Sequence, residues 1–124
     1  MKIILVDDEK KFVNMLAKRL SLRGINADVA CSGKEALKKV TQTSYDLAVL
    51  DLKMPGISGF ALKKELMDMR PDMKFIFVTG HGAIDKNGNN NNSDDLLLAK
   101  PLNIETLIET INQKINHNNE KRPE

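Results

Sequence analysis

The stretch that decides the fold is Leu47-Ala48-Val49-Leu50-Asp51, a short apolar run that stops at a carboxylate and leads into a Pro-Gly turn. Short apolar runs separated by helical patterns are typical of strands in a buried parallel sheet. Three further runs also end in polar residues: residues 3–6 before Asp7 and Asp8, residues 75–78 before Thr79, and residues 96–99 before Lys100. Because ligands bind at the carboxyl ends of such strands, we expect these polar side chains to converge on one site.

Helical patterns lie between the runs, and several residues mark where the helices begin or end. Gly24 suits the position just past the first helix, and residues 32–35 form a capping-box pattern that opens the second. Ser58 is a plausible cap for a helix that Pro71 ends, and Asn103 for a last helix with a clean apolar stripe. Residues 25–30 alternate apolar and polar, as a half-buried strand does. The pattern predicts an α/β domain with five strands.

Residues 85–95, where a helix is expected between strands four and five, contain no apolar residue. Asparagine is roughly 0.5–0.7 kcal/mol worse than alanine inside a helix and glycine about 1, so the deficit is on the order of 3 kcal/mol. We therefore predict that this fourth helix is degraded or disordered. Asp85, Asn87 and Asn89 alternate as in a calcium loop, but Leu96 stands where that loop needs a bidentate glutamate, so calcium binding is not expected.

The composition excludes several classes of protein. A chain of 124 residues with a formal net charge of +2 is one domain, and this charge gives no reason to expect contact with nucleic acid or a membrane surface. The single Cys31 fits a reducing compartment, and no apolar stretch approaches the roughly 20 residues of a membrane span. The first predicted strand leaves no room for a signal peptide. We expect a cytoplasmic domain over residues 1–116, with residues 117–124 as a polar tail or the start of a linker.

Three carboxylates at one sheet edge repel one another unless a cation holds them together. Magnesium prefers oxygen ligands, accepts one or two carboxylates directly and keeps several waters. Asp8 and Asp51 are the candidates for direct ligands, with Asp7 acting mainly through water. The backbone carbonyl of Lys53 could supply another oxygen.

The same edge carries what phosphoryl transfer to a carboxylate requires. With the metal in place, Asp51 can attack a phosphoryl group because the cation neutralises charge on the transferring oxygens. Lys100 offers a point charge to one phosphoryl oxygen, and Thr79 offers a hydroxyl donor to a second.

Each of these residues, read alone, has a simpler explanation. Asp7 and Asp8 could be negative charges at the start of a helix, where they are stabilising by roughly 0.3–1 kcal/mol. Asp51 could be a turn former, Thr79 a capping hydroxyl, and Lys100 one of 19 basic residues at the surface. The site is favoured because four strand ends supply compatible chemistry together.

The chain resembles the receiver domain of bacterial two-component response regulators over nearly its whole length. The resemblance lies in four motifs: Val6-Asp7-Asp8-Glu9, Asp51-Leu52-Lys53-Met54-Pro55-Gly56, Thr79-Gly80-His81-Gly82 and Lys100-Pro101. It implies a (βα)5 flavodoxin-like, doubly wound parallel sheet of order 2-1-3-4-5. It further implies Asp51 as phosphoacceptor and Asp7 and Asp8 as the magnesium pair. Thr79 would be the switch hydroxyl, Lys100 the lysine typical of the family, and the peptide before Pro101 would be cis. A sensor histidine kinase or phosphotransfer protein would be the phosphodonor.

One residue and one segment depart from the family pattern. Leu97 stands three residues before Lys100, where the family often has tyrosine or phenylalanine, so an aromatic-rotamer switch is not available in its usual form. Residues 85–95 replace the helix that forms part of the family's output face, which puts readout or weak homodimerisation through that face in doubt. An output domain or partner protein would then be reached differently.

Other classes of function share parts of this pattern. A magnesium-dependent phosphohydrolase would use Asp51 as nucleophile, but the length leaves no room for a cap or substrate pocket. A flavodoxin-type electron carrier would need a Ser/Thr/Gly-rich phosphate loop where this chain has Asp7, Asp8 and Glu9. A receiver-like interaction module that no longer cycles phosphate is the main alternative. We expect a phosphoacceptor switch with at most slow self-phosphorylation and self-dephosphorylation, rather than an enzyme.

Overall fold

Strands and helices alternate along the chain in the computed structural model, which describes residues 1–80 and 96–120. The elements are β1 (Lys2–Val6), α1 (Lys10–Leu22), β2 (Asn26–Ala30), α2 (Gly33–Gln42), β3 (Leu47–Asp51), α3 (Gly59–Met69), β4 (Lys74–Thr79), β5 (Leu96–Ala99) and α4 (Ile104–Glu120). The predictions of a degraded helix and of no calcium site over residues 85–95 lie outside the described residues.

The five strands form one parallel sheet of order β2-β1-β3-β4-β5, which confirms the predicted fold class. The register aligns Val6 with Leu50, Asp51 with Val78, and Thr79 with Ala99. The carboxyl ends of β1, β3, β4 and β5, which carry the polar residues, therefore lie along one edge of the sheet.

A hydrophobic core lies on each face of the sheet. Successive strand residues point to opposite faces, so Ile4 and Val6 pack with α2 and α3 whereas Ile3 and Leu5 pack with α1 and α4. Because both faces are covered, β1, β3 and β4 read as continuous apolar runs. This double burial holds the strand ends, and the polar residues on them, in fixed positions.

Four helix boundaries lie at residues that the sequence indicates. Gly24 follows α1 with a φ of +81°, a left-handed conformation that glycine adopts at little cost. Side-chain oxygens cap the other three helices: Ser32 accepts from the Glu35 N–H at 3.0 Å, Ser58 from Ala61 at 3.1 Å, and Asn103 from Glu105 at 2.8 Å. Helix α4 continues to Glu120, into residues 117–124 that we predict as a polar tail. No helix in the described ranges is both long and apolar enough to cross a membrane.

Candidate functional site

Three aspartates meet at the carboxyl edge of the sheet. Asp7 and Asp8 follow β1 and Asp51 ends β3, and one carboxylate oxygen from each lies within 4.8 Å of the others. Asp7 is 3% exposed and Asp51 5%, whereas Asp8 faces solvent. The two strands therefore bring together the carboxylates that the sequence analysis groups, with two of them withdrawn from water.

Backbone and side-chain donors orient the two buried carboxylates. One oxygen of Asp7 accepts a hydrogen bond from the Glu9 N–H at 2.9 Å, and the other pairs with the Lys100 ammonium at 3.0 Å. Oδ1 of Asp51 accepts from the Lys53 N–H at 3.3 Å. Lys53 thus lies beside the cluster, and its carbonyl stays a predicted metal ligand.

The cluster is electrostatically costly without a cation. Burial, together with repulsion from the charges of Asp7 and Asp8, raises the pKa of Asp51 to about 6. The Lys100 charge and the Lys53 N–H oppose that rise only in part. Burial likewise raises the pKa of Asp7 above its usual value. A shifted pKa of this kind in a cluster of like charges is typical of a site that binds a positive group.

The donor set fits a small, hard divalent cation. All three groups offer carboxylate oxygens, which suit magnesium, and the exposed Asp8 leaves an open side for water. The raised pKa of Asp51 fits as well, because a dication in the cluster would favour the ionised form of each carboxylate. Asp7, Asp8 and Asp51 are therefore the residues that would hold Mg²⁺.

Lys100 and Thr79 lie at the same edge. The backbone N–H of Lys100 donates to the Thr79 carbonyl at 2.8 Å, and the Lys100–Pro101 peptide bond is cis, as predicted. Burial by itself would lower the pKa of Lys100, but hydrogen bonds to Glu9 and Asp7 outweigh it and raise the pKa. The buried Thr79 hydroxyl donates to the Gly80 carbonyl at 3.2 Å. The structure thus joins β5 to both β1 and β4 at the site.

Two side chains that the sequence analysis leaves without a role hold Lys100. Oε1 of Glu9 lies 2.5 Å from the ammonium, and the ring centroid of Phe12 lies 4.5 Å from it. Glu9 is part of the first motif, but its neighbours in sequence do not reveal a partner 91 residues away. The one signal in the sequence is a glutamate just before a predicted helix, a position where the shorter Ser, Thr, Asp or Asn is preferred.

Gly59 supports the position of Asp51 from the start of α3. A Cβ at this glycine would lie 2.6 Å from the Asp51 carbonyl oxygen and 3.0 Å from the Leu52 Cα. The Gly59 N–H also donates to the Leu52 carbonyl at 3.0 Å. Only a residue without a side chain allows α3 to begin this close to the end of β3. The sequence shows the neighbouring cap, Ser58, but not this contact.

Leu97, the position at which related sequences often have an aromatic residue, lies on β5, the strand that Lys100 follows. Leu97 is half-buried, pairs in register with Phe77 and packs against the core on the α2 and α3 face. Unlike a tyrosine, leucine has no hydroxyl group that could move between solvent and the protein interior. Any change at this position is therefore one of packing alone.

Comparison with known proteins places this geometry among one family. The family model described as response regulator receiver domain matches residues 3–112. The transcriptional regulatory protein TcrA of Mycobacterium tuberculosis is 32% identical over 108 residues, which are 86% of this chain and 43% of that protein. The chain spans less than half the length of the first curated relatives that it matches.

Solved structures agree with this comparison. A CheY-like response regulator receiver domain protein from Methanospirillum hungatei has a TM-score of 0.85 at 27% identity, and the alignment covers 98% of each chain. Response regulator protein TrrA from Thermotoga maritima, in complex with Mg²⁺ and BeF, has a TM-score of 0.75 at 33% identity. That alignment covers 90% of this chain and 96% of TrrA.

Proposed function

Because this chain belongs to the family of response regulator receiver domains, we propose that it accepts a phosphoryl group on Asp51 in two-component signalling. The observation that supports this most is the pocket itself: a buried carboxylate on β3 beside two others and a nearby ammonium. Each group matches one requirement of phosphoryl transfer to a carboxylate. The site residues are Asp51, Thr79 and Lys100, with Asp7, Asp8, Asp51 and the Lys53 carbonyl for the metal.

In the proposed reaction the Asp51 carboxylate is the nucleophile. One oxygen bonds to phosphorus while the P–N bond of a donor phosphohistidine breaks, and the leaving imidazole keeps its electron pair and takes up a proton. Bound Mg²⁺ would supply positive charge to the phosphoryl oxygens. The Lys53 N–H, at 3.3 Å from Oδ1, holds the carboxylate in orientation, and burial on β3 limits its motion.

Lys100 and Thr79 would then respond to the new group. Phosphorylation adds about −1.5 to −2 charge and strong acceptor oxygens. The Lys100 ammonium and the Thr79 hydroxyl are two donors at this edge that could turn toward the phosphoryl group. The hydrogen bond from the Lys100 backbone N–H to the Thr79 carbonyl links the two residues. The phosphoryl group would bias two conformations by its different interaction with each.

The phosphodonor that this chemistry implies is a sensor histidine kinase or a phosphotransfer protein. Since the curated relatives extend well beyond the matched length, the output would lie in a further domain, a separate target or a weak homodimer. We propose residues 1–116 as the receiver domain. Its role would be that of a phosphoacceptor switch with at most slow self-phosphorylation and self-dephosphorylation, in the cytoplasm.

The direct test is phosphorylation of the purified chain by acetyl phosphate with Mg²⁺. We expect intact-mass spectrometry to show one added phosphoryl group in the wild type and in Asp72→Asn, a control that removes an exposed carboxylate. Asp51→Asn should show none, and a chelator should prevent the reaction in the wild type. Phosphorylation of Asp51→Asn at the wild-type level would contradict the assignment.

The same experiment separates the alternatives. A receiver-like interaction module that no longer cycles phosphate would show no added group in any variant while binding its target. A phosphohydrolase would release inorganic phosphate from small phosphomonoesters over many turnovers, which we do not expect.

A further inference from the structure

The Lys100 ammonium is held by residues that lie between the end of β1 and the first turn of α1. Among the described residues, the carboxylates within 4.0 Å of Nζ belong to Asp7, at 3.0 Å, and Glu9, at 2.5 Å. The Phe12 ring centroid lies 4.5 Å away on the first turn of the helix. The ammonium therefore rests on the α1 side of the pocket rather than on the phosphoacceptor.

Glu9 occupies a helix position that does not explain its side chain. It is the N-cap residue of α1, where a short polar side chain usually accepts from the helix N–H groups, yet its side chain makes no such bond. Its carboxylate turns to Lys100 instead. A residue that breaks a local preference at a candidate site is a candidate for a functional role.

The two partners of Lys100 differ in what they contribute. Asp7 is 5% exposed at its side chain and belongs to the acidic cluster, whereas Glu9 is 61% exposed and lies outside it. Glu9 is therefore not among the carboxylates that we assign to the cation. A lysine ammonium has three N–H donors; Glu9 takes one of them and holds Nζ beside the start of α1, which restrains its movement toward Asp51.

We propose that Glu9 is a positioning residue that holds Lys100 in a resting position, which Lys100 leaves before it binds a phosphoryl oxygen on Asp51. This inference rests on the proposed function. Losing the contact with Glu9 is then part of the cost of forming the phosphorylated state. Removing the contact makes that state easier to reach, because a smaller fraction of the molecules holds Lys100 at rest.

The expected effect is modest because one partner of the pair is exposed. Exposed ion pairs contribute little, so we expect a gain of roughly 1.5-fold to fivefold when the Glu9 contact is lost. Two measurements should show it: the affinity for beryllofluoride in the presence of Mg²⁺, and the rate of phosphorylation by acetyl phosphate.

Two substitutions of Glu9 separate the effect of its side-chain length from the effect of its charge. Glu9→Gln removes the charge at constant size, and Glu9→Asp keeps the charge but shortens the side chain by one methylene group. We expect both to raise the affinity and the rate, and to shift the Lys100 ¹³Cε NMR signal in the absence of any phosphoryl donor. Glu65→Gln, which removes an exposed charge on α3, should leave all three values unchanged.

The Lys100→Met background tests whether Glu9 acts through Lys100. In that background, neither Glu9 substitution should change the beryllofluoride affinity. A gain with Glu9→Gln but not with Glu9→Asp, or a gain that persists without Lys100, would mean a general charge effect and overturn the inference. So would wild-type values in both Glu9 variants while the wild type is phosphorylated normally. A wild type that takes no phosphoryl group on Asp51 would overturn the proposed function and this inference together.

Discussion

Replacement of Asp51 by asparagine should make the metal-free protein more stable at neutral pH, although the residue is the proposed phosphoacceptor. Burial, and repulsion from Asp7, raise the pKa of Asp51 from 3.8 to about 6. At 1.36 kcal/mol per pKa unit, this corresponds to a cost of about 3 kcal/mol for holding the ionised carboxylate in the folded state. Because the asparagine amide must also be buried, we expect a gain of about 2–3 kcal/mol in the free energy of unfolding.

The gain should depend on pH in a defined direction. The folded wild type takes up a proton at Asp51 as the pH falls through about 6, whereas the unfolded chain does so only near 3.8. Protonation therefore stabilises the folded wild type progressively over this window. The advantage of Asp51→Asn should be full above pH 7, shrink between pH 6 and pH 4 and be nearly lost below pH 4, where asparagine and a neutral aspartic acid are alike.

Magnesium should reverse the order of the two proteins. A ligand that binds only the folded state stabilises it by about 2.7 kcal/mol at 100 times its Kd and by about 4.1 kcal/mol at 1,000 times its Kd, so the order should reverse at the higher concentration. The wild type should gain this stabilisation at pH 8, and Asp51→Asn should lose most of it because one of the three carboxylates is gone.

Urea unfolding followed by far-UV circular dichroism measures these quantities, since the chain has no tryptophan. Asp72→Asn serves as the control for the loss of one exposed carboxylate and should match the wild type within about 0.5 kcal/mol. If Asp51→Asn were no more stable than the wild type at pH 8 without metal, or if its advantage did not fall between pH 7 and pH 5, the electrostatic argument would be wrong.

Three further outcomes follow from the described contacts. Gly59→Ala should cost about 1–3 kcal/mol of stability and slow phosphorylation, because the new Cβ would press on the Asp51 backbone; Gly33→Ala, which meets only the Ile57 and Leu62 side chains, should lose stability but phosphorylate normally. Lys100→Met should raise the pKa of Asp51 above about 6, measured by ¹³Cγ NMR titration without metal, since the Lys100 charge lowers that pKa; an unchanged titration would contradict this. Asn103→Ala should cost about 1 kcal/mol in urea unfolding by removing the cap of α4, with no change in phosphorylation.

Local patterns were sufficient for the fold and for most of the candidate site. The apolar runs, the caps at Ser32, Ser58 and Asn103, and the Gly24 stop each depend on neighbours within a few residues, so they can be read directly from the chain. The grouping of Asp7, Asp8 and Asp51 follows from the rule that parallel strands end at one edge. Phosphorylation and metal binding at that edge stay predictions.

Contacts between distant parts of the chain could not be read in this way. The Glu9 bond to Lys100 joins residues 91 positions apart, and it depends on the direction of one side chain at the start of α1. The close approach of Gly59 to Asp51 depends on the angle at which α3 leaves β3. Neither residue type nor spacing specifies such directions, because many sequences with the same pattern would place these atoms ångströms apart.

The sequence by itself therefore determined the order of strands and helices, the edge at which polar groups collect and the chemical types of those groups. Tertiary structure alone decided which carboxylates are buried, how far the pKa of Asp51 rises and which partners hold Lys100. The physical reason is that periodicity and capping act over one or two turns of chain, whereas burial and Coulomb energies depend on distances set by the packing of all the elements together.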